Sequence, residues 1–127
     1  MLKAAIINVL LLCLYGMFGC RYYNEEELYD DSEVKCDTVN VTLSNSINSI
    51  LALNCYSCHS NSNAIPFGSG INLETYSGLS ATALSGRLVG AITHSPGFVP
   101  MPHNAAKLDD CSIEKIKAWI NDGALNN

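Results

Sequence analysis

"NCYSCHSN", Asn54 to Asn61, places two cysteines and a histidine within five residues. Cys55-Tyr56-Ser57-Cys58-His59 has the form C-x-x-C-H, the pattern of covalent c-type haem attachment. In that chemistry two thiols add across the haem vinyl groups as thioethers, and the histidine that follows ligates the iron. The same residues could also supply half of a zinc site or a redox-active thiol pair. Each alternative demands different partners elsewhere in the chain.

A structural zinc ion needs four ligands in a tetrahedron. Cys55 and Cys58 give two, and the remaining candidates are His94, His103 and Cys111, none of which forms a second C-x-x-C or H-x-x-x-H pair. A thioredoxin-like pair wants its C-x-x-C at a helix N-terminus after a strand, where the dipole lowers a thiol pKa. Here the motif follows a helical segment: Ile47, Ile50, Leu51 and Asn54 fall at i, i+3, i+4 and i+7. A plain Cys55–Cys58 disulfide is the bland alternative. Covalent haem is the reading the motif favours.

An iron with two axial ligands needs a second donor far from His59. Met101, His94 and His103 are the candidates. Met101 lies in "VPMPHN", 42 residues after His59 and flanked by Pro100 and Pro102, whose fixed φ angles would hold the loop. A lone methionine is more often core filler, but this one sits in an extended loop rather than on a helix face. The bland reading of His94 is a loop histidine bonded to backbone, and that of His103 is a surface residue.

The 127 residues suit one folded domain. Lys3 precedes "AAIINVLLLCLYGMF" and then Gly19-Cys20. A basic start, an apolar stretch and a small residue before a cysteine form a secretory signal of lipoprotein type over residues 1–19, with Cys20 carrying the lipid. The alternatives are an uncleaved anchor and ordinary secretion. Between Arg21 and Asp37 seven acids face two bases, a net charge of −5; residues 20–37 therefore read as a flexible acidic tether. From Thr38 onward five acids face four bases. No basic patch exists, which argues against nucleic-acid binding.

The domain is placed at residues 38–127 and reads as all-α. Thr42 and Ser44 are reasonable caps for the first helix. "HSNSNAIPFGSG" is a loop by composition. Leu84, Leu88 and Ile92 suggest a second helical region within "TYSGLSATALSGRLVGAITH", although Gly86 and Gly90 weaken it. "HSPGFVPMPHN" cannot be a regular helix. "DDCSIEKIKAWINDGA" is the clearest helix, with Ile113, Ile116 and Ile120 on one face and Trp119 beside them. Asp110 or Ser112 is expected to cap its start and Gly123 to close it. Cys36 and Cys111 have no haem role and, in an exported domain, are natural disulfide partners.

Val41 to Ala124, about two-thirds of the chain, resembles a small class I cytochrome c domain of the kind found in exported bacterial lipoproteins. The matching stretches are "CYSCH", "GINL" (Gly70–Leu73), "GRLVGAITHSPGFVPMP" and "IKAWINDGA". The resemblance implies a cytochrome c fold, three to four helices with long loops around one covalent haem c. It implies Cys55 and Cys58 as the thioether residues, His59 as proximal ligand and Met101 as distal ligand. A carbonyl that fixes the His59 tautomer is an expected device; Pro66 or a backbone carbonyl near Gly70 is the candidate. Arg87 would pair a haem propionate or face water.

With both axial positions filled, the expected function is one-electron transfer rather than catalysis. The protein would be tethered by Cys20 to a bacterial membrane, on the periplasmic side or at the cell surface, and would meet redox protein partners. The alternatives are a haem-based sensor or peroxidase-like enzyme with a displaceable Met101, and a haem-free structural lipoprotein.

Overall fold

Thr42 opens the fold. Its extended backbone cannot continue a helix, and its hydroxyl accepts from the Asn45 N–H at 3.1 Å. The Asn45 side chain returns the favour, accepting from the Thr42 N–H at 2.9 Å, so two otherwise orphaned donors are satisfied reciprocally. A π-helical turn, Leu43–Ile47, follows and runs straight into α1, Asn48–Asn54. Leu43, Ile47 and Leu51 recur every fourth residue and are all buried. The backbone breaks at Cys55, and α2, Tyr56–His59, restarts in a single turn.

The computed structural model describes residues 36–127. The expected leader at 1–19, the expected lipidation site Cys20 and the expected tether up to residue 35 lie outside the described residues. Cys36–Asn127 forms one compact unit, two residues longer at its start than the sequence boundary, because Cys36 is bonded to Cys111. Among the described residues there is no strand, and no helix is long and apolar enough to cross a membrane.

After the loop that follows His59, Thr75 caps α3, Tyr76–Leu84, by accepting from the Gly78 N–H at 3.3 Å. Gly86, at φ +78°, ends that helix and starts α4, Arg87–Ile92; the left-handed conformation is cheap only for glycine. The break corrects the four-residue pattern read from the sequence. Leu88 and Ile92 are buried, but Leu84 is 64% exposed, and Leu79 and Ala83 are the buried residues of α3. Gly86 resets the helical phase, so the spacing does not carry across it. The five α-helical segments among the described residues exceed the three to four expected for the same reason: Cys55 and Gly86 each divide a stretch that the apolar spacing runs through.

The last helix, α5, spans Asp110–Asn121. Asp109 caps it, accepting from the Ser112 N–H at 2.8 Å, in place of the expected Asp110 or Ser112; Asp110 lies one residue inside, against the positive end of the dipole. Ile113, Ile116 and Trp119 are buried, while Ile120 is half-buried. The indole, not Ile120, therefore completes the core-facing stripe, and its Nε1 donates to the Leu125 carbonyl at 2.9 Å. Gly123 closes the helix as expected. It adopts φ +99°, its N–H donates to the Ile120 carbonyl, and the Ala124 N–H donates to the Trp119 carbonyl, each at 2.9 Å. This is the paired-bond helix ending that a glycine at C′ makes possible.

α5 packs against the opening π-turn and α4. Ile47, Leu51, Leu79, Ile92, Ile116 and Trp119 are the largest fully buried side chains and belong to one cluster. Cys36 and Cys111 are joined, with Cα atoms 5.2 Å apart. The bridge ties the start of the unit to the first turn of α5.

Candidate functional site

The break at Cys55 aims the C-x-x-C-H segment into a cleft of about 920 Å³. One wall is the stretch Asn54–His59 with the Phe67–Leu73 loop. The other is α4 with the loop Gly97–Ala105. The volume stands at the upper end of the roughly 300–1,000 Å³ range of small-molecule and cofactor sites. The lining is mainly apolar and includes Ile71, Leu73, Leu88 and Ile92. Phe67, Phe98 and Val99 also line it, and they are 69%, 41% and 63% exposed. Exposed apolar side chains that share one concave surface make it the candidate binding site.

His59 is fixed on three sides. Its Nδ1–H donates to the Ile71 carbonyl at 2.9 Å. Its own carbonyl accepts from the Leu73 N–H at 2.8 Å. Gly68 packs against it so closely that an added Cβ would lie 2.8 Å from Nδ1 and 2.6 Å from the Cys58 carbonyl oxygen. Because a carbonyl can only accept, the bond to Ile71 places the ring proton on Nδ1 and leaves Nε2 with its lone pair. The carbonyl expected near Gly70 is thus that of Ile71, one residue on. Pro66 is exposed and does not line the cleft.

Cys55 and Cys58 both line the cleft and are not bonded to each other. Burial pushes the Cys55 thiol up to about 11. That is the opposite of the lowered pKa that a nucleophilic or redox-active C-x-x-C requires. Among the described residues no three His, Cys, Asp or Glu side chains come together as a metal site.

Of the three distal candidates, Met101 and His103 line the cleft and His94 does not. His103 is exposed. Met101 is half-buried, and its backbone is held at both ends: its N–H donates to the Ala91 carbonyl at 3.0 Å, and its carbonyl accepts from His94 Nε2–H at 3.1 Å. The Met101 loop also packs on Gly90, where an added Cβ would meet the Phe98 ring at 2.5 Å. Arg87, the first residue of α4, sits exposed at the cleft.

Cys55, Cys58, His59 and Met101, which the sequence singles out, all line one cleft. The residues themselves gave no notice of the Gly68 or Phe98–Gly90 contacts, and a carbonyl near Gly70 was implied only by the family resemblance. These are close approaches of backbone between segments, and the only sequence signal was glycine in "FGSG" and "LVGA". No family model, no curated protein and no solved structure matches this chain.

Proposed function

We propose that Cys36–Asn127 is a mono-haem c-type cytochrome domain of class I type, which carries one electron. The observation that carries this reading is the cleft itself: one concave apolar surface lined by both cysteines and the histidine of C-x-x-C-H and by a methionine 42 residues after that histidine. Haem c would supply reversible one-electron chemistry at iron, with a potential raised by His/Met ligation.

The chain's own groups fit that cofactor. Cys55 and Cys58 would hold it as thioethers. His59 offers Nε2, its tautomer set by the Ile71 carbonyl, an arrangement typical of metal-bound histidine. Met101 offers its thioether from a loop fixed to α4. Phe67, Phe98 and Val99 would be covered, which extends a core that 92 residues alone build only modestly. Two protein ligands leave no coordination position for substrate, which supports a carrier rather than an enzyme. The Cys36–Cys111 bridge is of the kind that persists in oxidising compartments. It supports export, with Cys20 as the lipid anchor to a membrane and redox proteins as partners.

The test is expression of the full chain in a bacterial host with c-type haem-attachment machinery. A denaturing gel stained for haem should show a coloured band, lost in Cys55→Ser/Cys58→Ser. The ferric protein should show the weak long-wavelength charge-transfer band of Met-ligated haem, and Met101→Ala should abolish it. Absence of covalent haem rejects the reading. A stained band whose ferrous form binds carbon monoxide readily, with no charge-transfer band in the ferric form, rejects the carrier function.

A further inference from the structure

His94 is the one histidine of the three that does not line the cleft, yet it is held in an unusual state. Its backbone adopts φ +54°, a conformation that non-glycine residues visit at a cost, although histidine is enriched there. That conformation turns the chain sharply at the end of α4 and brings the imidazole back over the loop it leads into. Nε2–H then donates to the Met101 carbonyl at 3.1 Å. On the other side of the same residue, the Met101 N–H donates to the Ala91 carbonyl at 3.0 Å. Met101 is therefore clamped at both of its backbone polar groups to the segment Ala91–His94. The flanking prolines, which the sequence offered as the clamp, lack N–H groups and donate no such bond.

We infer that His94 is a positioning residue for Met101: it holds the loop so that the thioether stays presented to the cleft. This rests on the assignment of Met101 as the distal ligand. A thioether is a weak, neutral donor, and its occupancy at iron depends on how little freedom its loop retains. Removing one of two bonds that fix the loop lets competing ligands displace it more readily. His94 thus acts through Met101 and does not itself enter the site.

Three full-length holoproteins test this: wild type, His94→Leu and His94→Gln. Leucine and glutamine both occupy the φ +54° position without glycine's freedom, so backbone strain cancels between them. Gln Nε2 stands the same number of bonds from the backbone as His Nε2 and can donate to the Met101 carbonyl; leucine cannot. Imidazole is titrated into each ferric protein while the charge-transfer band is followed. The loss of one hydrogen bond predicts that His94→Leu binds imidazole about fivefold to tenfold more tightly than wild type. His94→Gln should lie within about twofold of wild type, since it restores the bond. A merely structural contribution would lower the unfolding midpoint without separating the two variants in the imidazole titration.

Equal imidazole affinities for wild type and His94→Leu overturn the inference and leave the ligand assignment standing. So does an equal gain in affinity for both variants. A wild-type ferric spectrum with no Met–iron band, or a bis-histidine spectrum that His94→Leu abolishes, overturns both.

Discussion

Gly68→Ala asks how tightly the protein holds His59. Gly68 is buried in the loop that folds over α2. Its N–H donates to the carbonyls of Asn63 and Ala64 at 3.2 and 3.0 Å, so the loop is fixed from behind. An alanine Cβ would meet the Cys58 carbonyl oxygen at 2.6 Å, His59 Nδ1 at 2.8 Å and the Ala64 carbonyl oxygen at 3.0 Å. Two of these three atoms are backbone and cannot swing away. The imidazole is the part that can move, and moving it lengthens the Nδ1–H bond to the Ile71 carbonyl.

Overpacking of this kind costs roughly 1–3 kcal/mol, and a weakened hydrogen bond about 1 kcal/mol more. Lower entropy of the unfolded alanine chain offsets roughly 0.4–1 kcal/mol. The net expectation is a destabilisation of about 2 kcal/mol, or roughly 10 °C in Tm for a unit of this size. Urea unfolding followed by circular dichroism measures it. Gly70→Asn is the control: nothing lies within 4 Å of a Cβ there, and the backbone sits at φ +77°, which asparagine tolerates. Gly70→Asn should change stability by less than about 1 kcal/mol. If Gly68→Ala unfolds within 0.5 kcal/mol of wild type, about the spread expected of a neutral surface change, the packing of Gly68 on His59 is wrong. If stability falls but a carbonyl-anchored His59 is unaffected, the 15N shift of Nδ1–H will match wild type, and the inferred ring displacement is refuted.

Two further outcomes follow from the scaffold. Cys36→Ser/Cys111→Ser opens a loop with a sequence separation of 75 residues, so urea unfolding should show a loss of stability approaching about 4 kcal/mol, the chain-entropy figure for such a loop; a loss below about 1 kcal/mol would contradict a constraining bridge. The Asp109 carboxyl is held below its ordinary 3.8, first by the Ser112 side chain and then by the Ser112 N–H. A depressed folded-state pKa contributes stability that is present above the ordinary value and lost as pH falls through the lower folded value. Asp109→Ala should therefore cost about 1 kcal/mol at neutral pH, and the difference from wild type should shrink below about pH 4; a difference that grows on acidification would reverse the sign.

What the sequence made legible follows from how locally each feature is encoded. Caps, breaks and the C-x-x-C-H pattern are settled within a few residues, and Thr42, Gly123 and the Cys55–His59 segment stand where local chemistry put them. Asp109 and Asp110 are equivalent caps by sequence, and only the backbone angle of Asp109, φ −60° and ψ 151°, decides between them. Leu84 falls off the buried face because periodicity assumes an unbroken helix, and Gly86 breaks it. The site divides along the same line. Side chains that would carry the proposed chemistry are visible as residue types, whereas what aims them is backbone: the Ile71 carbonyl on the His59 ring, and the Ala91 carbonyl on the Met101 N–H. Any residue type presents a carbonyl, so no composition or spacing announces these contacts. It follows that a variant screen guided by side-chain chemistry alone would find Cys55, Cys58, His59 and Met101, but would miss Gly68 and Gly90, where the missing Cβ is what lets the backbone and the Phe98 ring approach.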